Sequence, residues 1–237
     1  MSTKFFNNAP GNTLFDKLKG IASDMTTFDR FLAVVGFFRS SGYFKLRKEL
    51  GDISEIKILV GINIDDIFRK HNKALLMLAD EDKAKEIYHN GFKEDIINAQ
   101  YSPEVEEGIL QMCEDLVSGR LQMRIHATKN LHAKFYLCLP QTHSEHSDGW
   151  VIMGSSNISD SGLGIKLPPQ YELNVAMKDY DEVKYCSDEF WTLWNEAIPL
   201  TADDIEKYRK KTYLGYQPTP YELYIKVLID TFGEQVE

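Results

Sequence analysis

The 237-residue chain is poor in the residues that staple a fold or span a membrane. It has three cysteines, Cys113, Cys138 and Cys186, with no CxxC pair among them. That argues against a disulfide framework or a cysteine-built zinc site, and a reducing compartment is the expected setting. Long apolar runs are also lacking. The longest, Phe31 to Phe38, has eight residues, against the ~20 that a membrane-spanning helix needs. The opening MSTKFFNNAP has no apolar stretch of the kind a secretory leader carries. Glycine and proline, 15 and 8 residues, make up about a tenth of the chain, which excludes a fibrous or low-complexity sequence. With 43% hydrophobic residues the chain can bury a full core unaided. The expectation is a cytoplasmic protein of one large domain, or a domain with a tail.

Basic charge is scarce overall and unevenly placed. The net charge is −9, which excludes a general nucleic-acid coat. Yet Arg30 to Lys48 holds five Lys or Arg and no acid, and Leu116 to Ser144 holds four and no acid. All 36 acidic residues lie outside these two windows. Two basic islands in an acidic chain mark a candidate anion site.

The apolar pattern alternates between strand and helix. Thr13 to Met25 reads as a helix capped by Thr13, with Leu14, Leu18, Ile21 and Met25 on one stripe. Phe31 to Phe38 reads as a buried strand, Ser40-Ser41-Gly42 as a break, Tyr43 to Leu50 as a helix, and Ile56 to Gly61 as a second buried strand. That order predicts a βαβ unit with a parallel pair. Residues 65 to 118 read as mostly helical, with Ser102-Pro103 starting one helix and Gly119 ending it. Strands are expected at Leu121–Ile125, Leu131–Leu139, Trp150–Met153 and Tyr171–Met177, with a polar loop over 141–149. Asp181 to Glu196 is amphipathic, with Val183, Cys186, Phe190 and Trp194 facing inward, and Tyr221 to Phe232 reads as a final helix.

The chemistry-bearing residues fall late in the chain. In NLHAKFYLCL, strand alternation puts His132, Lys134, Tyr136 and Cys138 on one face. A histidine and a lysine side by side on a core strand repel each other unless an anion sits between them. The strand Trp150 to Met153 then runs into Gly154-Ser155-Ser156-Asn157, a turn whose backbone N–H groups, hydroxyls and amide suit phosphate oxygens. In Tyr171-Glu172-Leu173-Asn174, Glu172 and Asn174 share a face, and a carboxylate there can fix a histidine's tautomer. Arg39, Ser40 and Ser41 end the first strand, where α/β sheets bind ligands. The histidines 126, 132, 143 and 146, with Cys138 nearby, have no ligand spacing on a helix, so no metal site is expected. His71-Asn72-Lys73 repeats the HxK pattern in a helical stretch with no GSxN behind it, and is read as coincidence.

HAK, then GSSN, then ELN in this order resembles the phospholipase D superfamily, whose motif is HxK(x)4D(x)6GSxN. The likeness is to nuclease-like members with one motif per chain, including those fused ahead of superfamily 2 helicases. FLAVVGFFRSSGYFKLRKEL and IKILVG resemble the first βαβ of those domains, and PTPYELYIKVLIDTFGEQVE resembles the segment leading into a helicase core. The resemblance covers roughly residues 5 to 200, plus that tail. There are two departures: Leu139 stands where the motif has aspartate, and the gap from Lys134 to GSSN is lengthened by the 141–149 loop.

The resemblance implies an α/β fold with a mixed, largely parallel sheet flanked by helices on both faces. It implies a domain over 1–200 and a helical extension over 201–237 toward a downstream helicase-like region. It also implies a nuclease needing no cofactor or metal. His132 would be the nucleophile, Lys134 and Asn157 would stabilise the charged intermediate, and Glu172 would orient His132. Gly154, Ser155, Ser156, Arg39 and Ser41 would hold phosphate. With one motif per chain, the second histidine would come from a homodimer partner. DNA is the expected substrate. A weakened DNA-binding module of a helicase or restriction-type protein is the alternative, and a phosphodiesterase of lipids or small diesters a third.

Overall fold

Runs rich in β-branched and aromatic residues build the middle of the sheet, because such runs are stable only when both faces are covered. The computed structural model describes residues 4–61, 103–126, 131–166 and 170–200, all within one compact unit, Met1–Leu200. The expected helices within 65–102 and 221–232, the Ser102 cap and the HxK at His71 lie outside the described residues.

The elements run β1 (Phe5–Asn7), α1 (Leu14–Asp24), β2 (Arg30–Val35), α2 (Ser40–Leu50), β3 (Glu55–Gly61), α3 (Pro103–Val117), β4 (Leu121–His126), β5 (Phe135–Leu139), β6 (Trp150–Gly154), β7 (Leu173–Met177), α4 (Tyr180–Glu196) and β8 (Ile198–Pro199). The strands form one sheet in the order β1-β7-β6-β5-β2-β3-β4-β8. The expected βαβ unit is present: β2, α2 and β3, with β2 and β3 parallel. Fold class is as expected, a mixed sheet flanked by helices. Its parallel share is smaller than expected. Among the named strands only β2–β3 and β3–β4 are parallel, and the other five pairings are antiparallel. The cause is the connection between strands. β5 and β6 are joined by the short 140–149 loop, too short for the crossover that parallel strands require.

Alternation divides the sheet's side chains between two layers. Leu32, Val34, Leu59, Leu137, Leu139 and Val151 pack under Val183, Cys186, Phe190 and Trp194 of α4, the four inward positions expected for that helix. The alternate row, including Phe31, Ala33, Ile58, Tyr136 and Ile152, is buried on the other face. There α2 packs against both α1 and α3. Thr13 caps α1 through a capping box: its hydroxyl accepts from the Asp16 N–H at 3.0 Å, and the Asp16 carboxylate accepts from the Thr13 N–H at 3.1 Å. Such a cap is worth about 1 kcal/mol. Buried Asp115 of α3 ties α3 to α2, accepting from Tyr43 Oη at 2.9 Å and Arg47 Nε at 2.8 Å.

Several boundaries differ from the sequence reading: β2 ends at Val35 rather than Phe38, and β7 begins at Leu173 rather than Tyr171. Ser40-Ser41-Gly42 opens α2 rather than breaking the chain. Gly42 is inside the helix because the 158–159 backbone lies against it, and a Cβ there would sit 2.8 Å from Ser159 Cα. β5 begins at Phe135 rather than Leu131, so His132 and Lys134 precede the strand. Among the described residues no helix is long and apolar enough to cross a membrane.

Candidate active site

The antiparallel order of β2, β5, β6 and β7 brings four chain ends to one end of the sheet. These are the end of β2, the approach to β5, the end of β6 and the approach to β7. Gly36, just past β2, lies at the centre. A Cβ on Gly36 would sit 3.4 Å from the Leu131 carbonyl oxygen, 3.7 Å from Lys134 Nζ and 3.7 Å from Asn157 Oδ1. Lysine and asparagine, 23 positions apart in the sequence, therefore converge on one glycine, and a side chain there would fill the space between them. The sequence reading missed Gly36. Its signal was a lone glycine inside the apolar run Phe31 to Phe38, at the point where the strand in fact ends.

Lys134 is 8% exposed, and its Nζ donates to the His132 carbonyl oxygen at 2.8 Å. Burial pushes its pKa below the usual lysine value, and the negative charge of Glu172 opposes that shift. The His132 side chain is exposed and, among the described residues, makes no hydrogen bond. Expecting His132 and Lys134 side by side on a strand face needs correction. Outside the ladder the two diverge, one to solvent and one inward, and the lysine's charge rests on the histidine's own backbone.

The turn after β6 is bound on both sides. The Gly154 N–H donates to the Lys134 carbonyl at 3.2 Å, and the Ser155 N–H to the Leu173 carbonyl at 3.2 Å. The Ser155 hydroxyl donates to the Glu172 carboxylate and accepts from the Leu173 N–H. Glu172 is buried, and its described hydrogen-bond partner is Ser155 rather than His132. Asn157 Oδ1 accepts from the Phe37 N–H at 3.0 Å, and its amide N–H2 makes no hydrogen bond among the described residues. Ser156 is fully buried, and its hydroxyl accepts from Asn174 Nδ2 at 2.9 Å. The peptide of Gly154 lies so close to β7 that a Cβ would fall 2.1 Å from Asn174 Oδ1. Arg39 lies with its guanidinium 4.3 Å above the Phe37 ring, and Ser41 is in the first turn of α2.

Leu139 is completely buried at the far end of β5, paired with Arg30. Five residues of strand separate it from Lys134, about 16 Å at 3.3 Å per residue. An aspartate at that position would not reach His132, so its replacement takes no group out of the cluster.

The Lys134 ammonium and the Asn157 side chain thus approach Gly36, and the exposed His132 precedes the lysine by two residues. The family model described as "Cardiolipin synthase, PLD-like domain" matches residues 54–194. The chain belongs to this PLD-like family. No curated protein sequence matches it. Among solved structures, phosphatidylserine synthase of Haemophilus influenzae is 12% identical with a TM-score of 0.51, over 98% of this chain and 45% of that one. Nuc of Salmonella typhimurium, a phospholipase D family member, is 10% identical with a TM-score of 0.46, over 84% and 98%. NucT of Helicobacter pylori is 11% identical with a TM-score of 0.43, over 83% and 99%. These likenesses concern the fold.

Proposed function

We propose that this PLD-like chain is a phosphodiesterase that cleaves DNA through a phosphohistidine on His132, without a metal, at a site shared by two copies. The observation that carries it is the convergence of Lys134 and Asn157 on Gly36 beside an exposed His132. An imidazole nitrogen of His132 attacks phosphorus, a P–N bond forms, and the P–O bond to the leaving strand breaks. The leaving oxygen needs a proton, and His132 of the partner subunit supplies it as general acid. That imidazole then takes a proton from water, whose oxygen attacks phosphorus and frees the first histidine. Lys134 and the Asn157 amide hold the equatorial oxygens as negative charge accumulates. Glu172 opposes the loss of charge that burial imposes on Lys134, while Ser155 holds the carboxylate.

An apolar strip beside the site supports the second copy. Phe5 of β1, Val175 of β7 and Met153 of β6 are register neighbours on one face. Phe5 is 62% exposed, Leu173 51% and Tyr171 77%. Glu172 is flanked by two of these residues, so a copy packed there by a two-fold axis would bring its own site alongside. DNA as substrate rests on the basic windows 30–48 and 116–144. The C-terminal tail's likeness to a helicase-leading segment makes a helicase region the expected neighbour in a longer protein.

The test is cleavage of labelled single- and double-stranded DNA in excess EDTA, wild type beside H132A. Cleavage that survives EDTA and vanishes in H132A is the expected result. DNA binding by both proteins with no cleavage by either supports the binding-module reading instead. Cleavage abolished by EDTA overturns the mechanism, and a monomer by sedimentation at micromolar concentration overturns the shared site.

A further inference from the structure

Beneath the turn after β6 lies a set of buried polar groups that the proposed mechanism does not use. Tyr136 of β5, Ser156 of the turn and Asn174 of β7 are 1%, 0% and 1% exposed. Tyr136 Oη donates to the Ser156 carbonyl at 2.7 Å, and Asn174 Nδ2 donates to the Ser156 hydroxyl at 2.9 Å. The two strands that flank β6 thus grip one residue, β5 by its main chain and β7 by its side chain. Among the described residues, Asn174 Oδ1 is buried with no hydrogen-bond partner, a cost of about 1–3 kcal/mol for an acceptor. A leucine at 174 would bury as well and carry no such cost, so packing alone does not account for the asparagine.

We propose that Tyr136, Ser156 and Asn174 form an interior relay that sets the catalytic turn, and that Ser156 is a positioning residue which does not touch the phosphate. The residues on either side of Ser156 face the site. Ser155 holds Glu172, and Asn157 presents its amide beside Gly36. A turn with three consecutive residues aimed at three different partners has its rotation fixed only if the middle one is anchored. Burial makes that anchor rigid, because in a dry interior each unmade bond costs the full desolvation of its group. Tyr136 is the far end of the anchor. Burial and the nearby Glu172 charge both keep its phenol protonated, hence always a donor. A misplacement of about 1 Å at a reacting group can cost ~100-fold in rate, so the relay's effect is expected in kcat.

The kinetic arm of the test rests on the phosphodiesterase reading; a second arm does not. S156A, N174L, Y136F and the S156A/N174L double variant are compared on DNA cleavage. Each single variant is expected to lower kcat about tenfold with KM within twofold, and the double variant to be no slower than the worse single, because both ends of one bond are then gone. A raised KM with unchanged kcat in S156A would mean that Ser156 binds phosphate directly, and multiplicative losses in the double would mean no relay; either overturns the proposal. Independently of activity, the Ser155 and Leu173 amides should exchange with deuterium at least tenfold faster in Y136F and S156A. Ile58 in β3 serves as the folding control. Unchanged exchange at Ser155 and Leu173 overturns the relay. Absence of cleavage by wild type, with the exchange result as expected, overturns the phosphodiesterase reading alone.

Discussion

Adding one methyl group at Gly154 probes whether the site end of the sheet is as tightly packed as its geometry states. A Cβ at residue 154 would lie 2.1 Å from Asn174 Oδ1, 2.5 Å from the Leu173 carbonyl oxygen and 2.8 Å from Asn174 Cα. Unbonded carbon and oxygen approach no closer than about 3.3 Å, so G154A overlaps by nearly 1 Å with the backbone alone. The nearest side-chain atom cannot swing away, because its amide is held by Ser156. β6 and β7 must therefore part locally. Overpacking costs about 1–3 kcal/mol, and losing the Ser155 N–H bond to Leu173 adds about 0.5–1.5 kcal/mol. The sum is a destabilisation of about 2–4 kcal/mol. With a urea slope of about 2–3 kcal/mol/M for a chain of this size, the unfolding midpoint should fall by about 1 M. G20A is the control. Gly20 lies inside α1 with open space where its Cβ would point, so alanine there should gain about 0.5–1 kcal/mol. A G154A midpoint within ~0.2 M of wild type would refute the close approach of β6 and β7.

Two further predictions concern buried charge. D115A removes the carboxylate that accepts from Tyr43 and Arg47 and leaves a largely buried guanidinium without its partner, so urea titration should show a loss of about 3–5 kcal/mol. K134M should abolish cleavage yet unfold at a higher temperature than wild type at pH 7. Burial disfavours the charged form of Lys134, so its folded-state pKa lies below 10.5 and the charge costs stability at every pH below that folded value. The cost fades between the folded pKa and 10.5, where the wild-type side chain becomes neutral in both states. The advantage of K134M over wild type should shrink across that window, and melting curves at pH 7 and near pH 10.5 check the sign.

What the sequence made legible follows from period and from capping. β2 and β3 are apolar on both faces and could be placed as runs, and α4 could be placed by its 3.6-residue stripe. The site was legible in residue types but not in geometry. Alternation predicts that Glu172 and Asn174 share a face, and both are buried on it. It fails for His132 and Lys134 because the ladder starts only at Phe135, and periodicity carries no mark for the residue at which backbone pairing begins. Tyr136 and Asn174 read as row members without a role. Their meaning is a matter of register: Tyr136 stands opposite Ile152, and Asn174 opposite Gly154. Only that pairing puts both beneath Ser156, which reads from sequence as one more hydroxyl for phosphate.

The same geometry shows where the missing aspartate would have stood. Lys134 obtains its counter-charge from Glu172 on a neighbouring strand and its hydrogen bond from the His132 carbonyl, both at the near end of β5. Leu139 packs under α4 at the far end, in one cluster with Leu32, Val151 and Phe190 and opposite Arg30 of β2. In this chain the end of β5 that carries Lys134 and the end that packs under α4 lie apart, and the replacement of the motif's aspartate falls at the second.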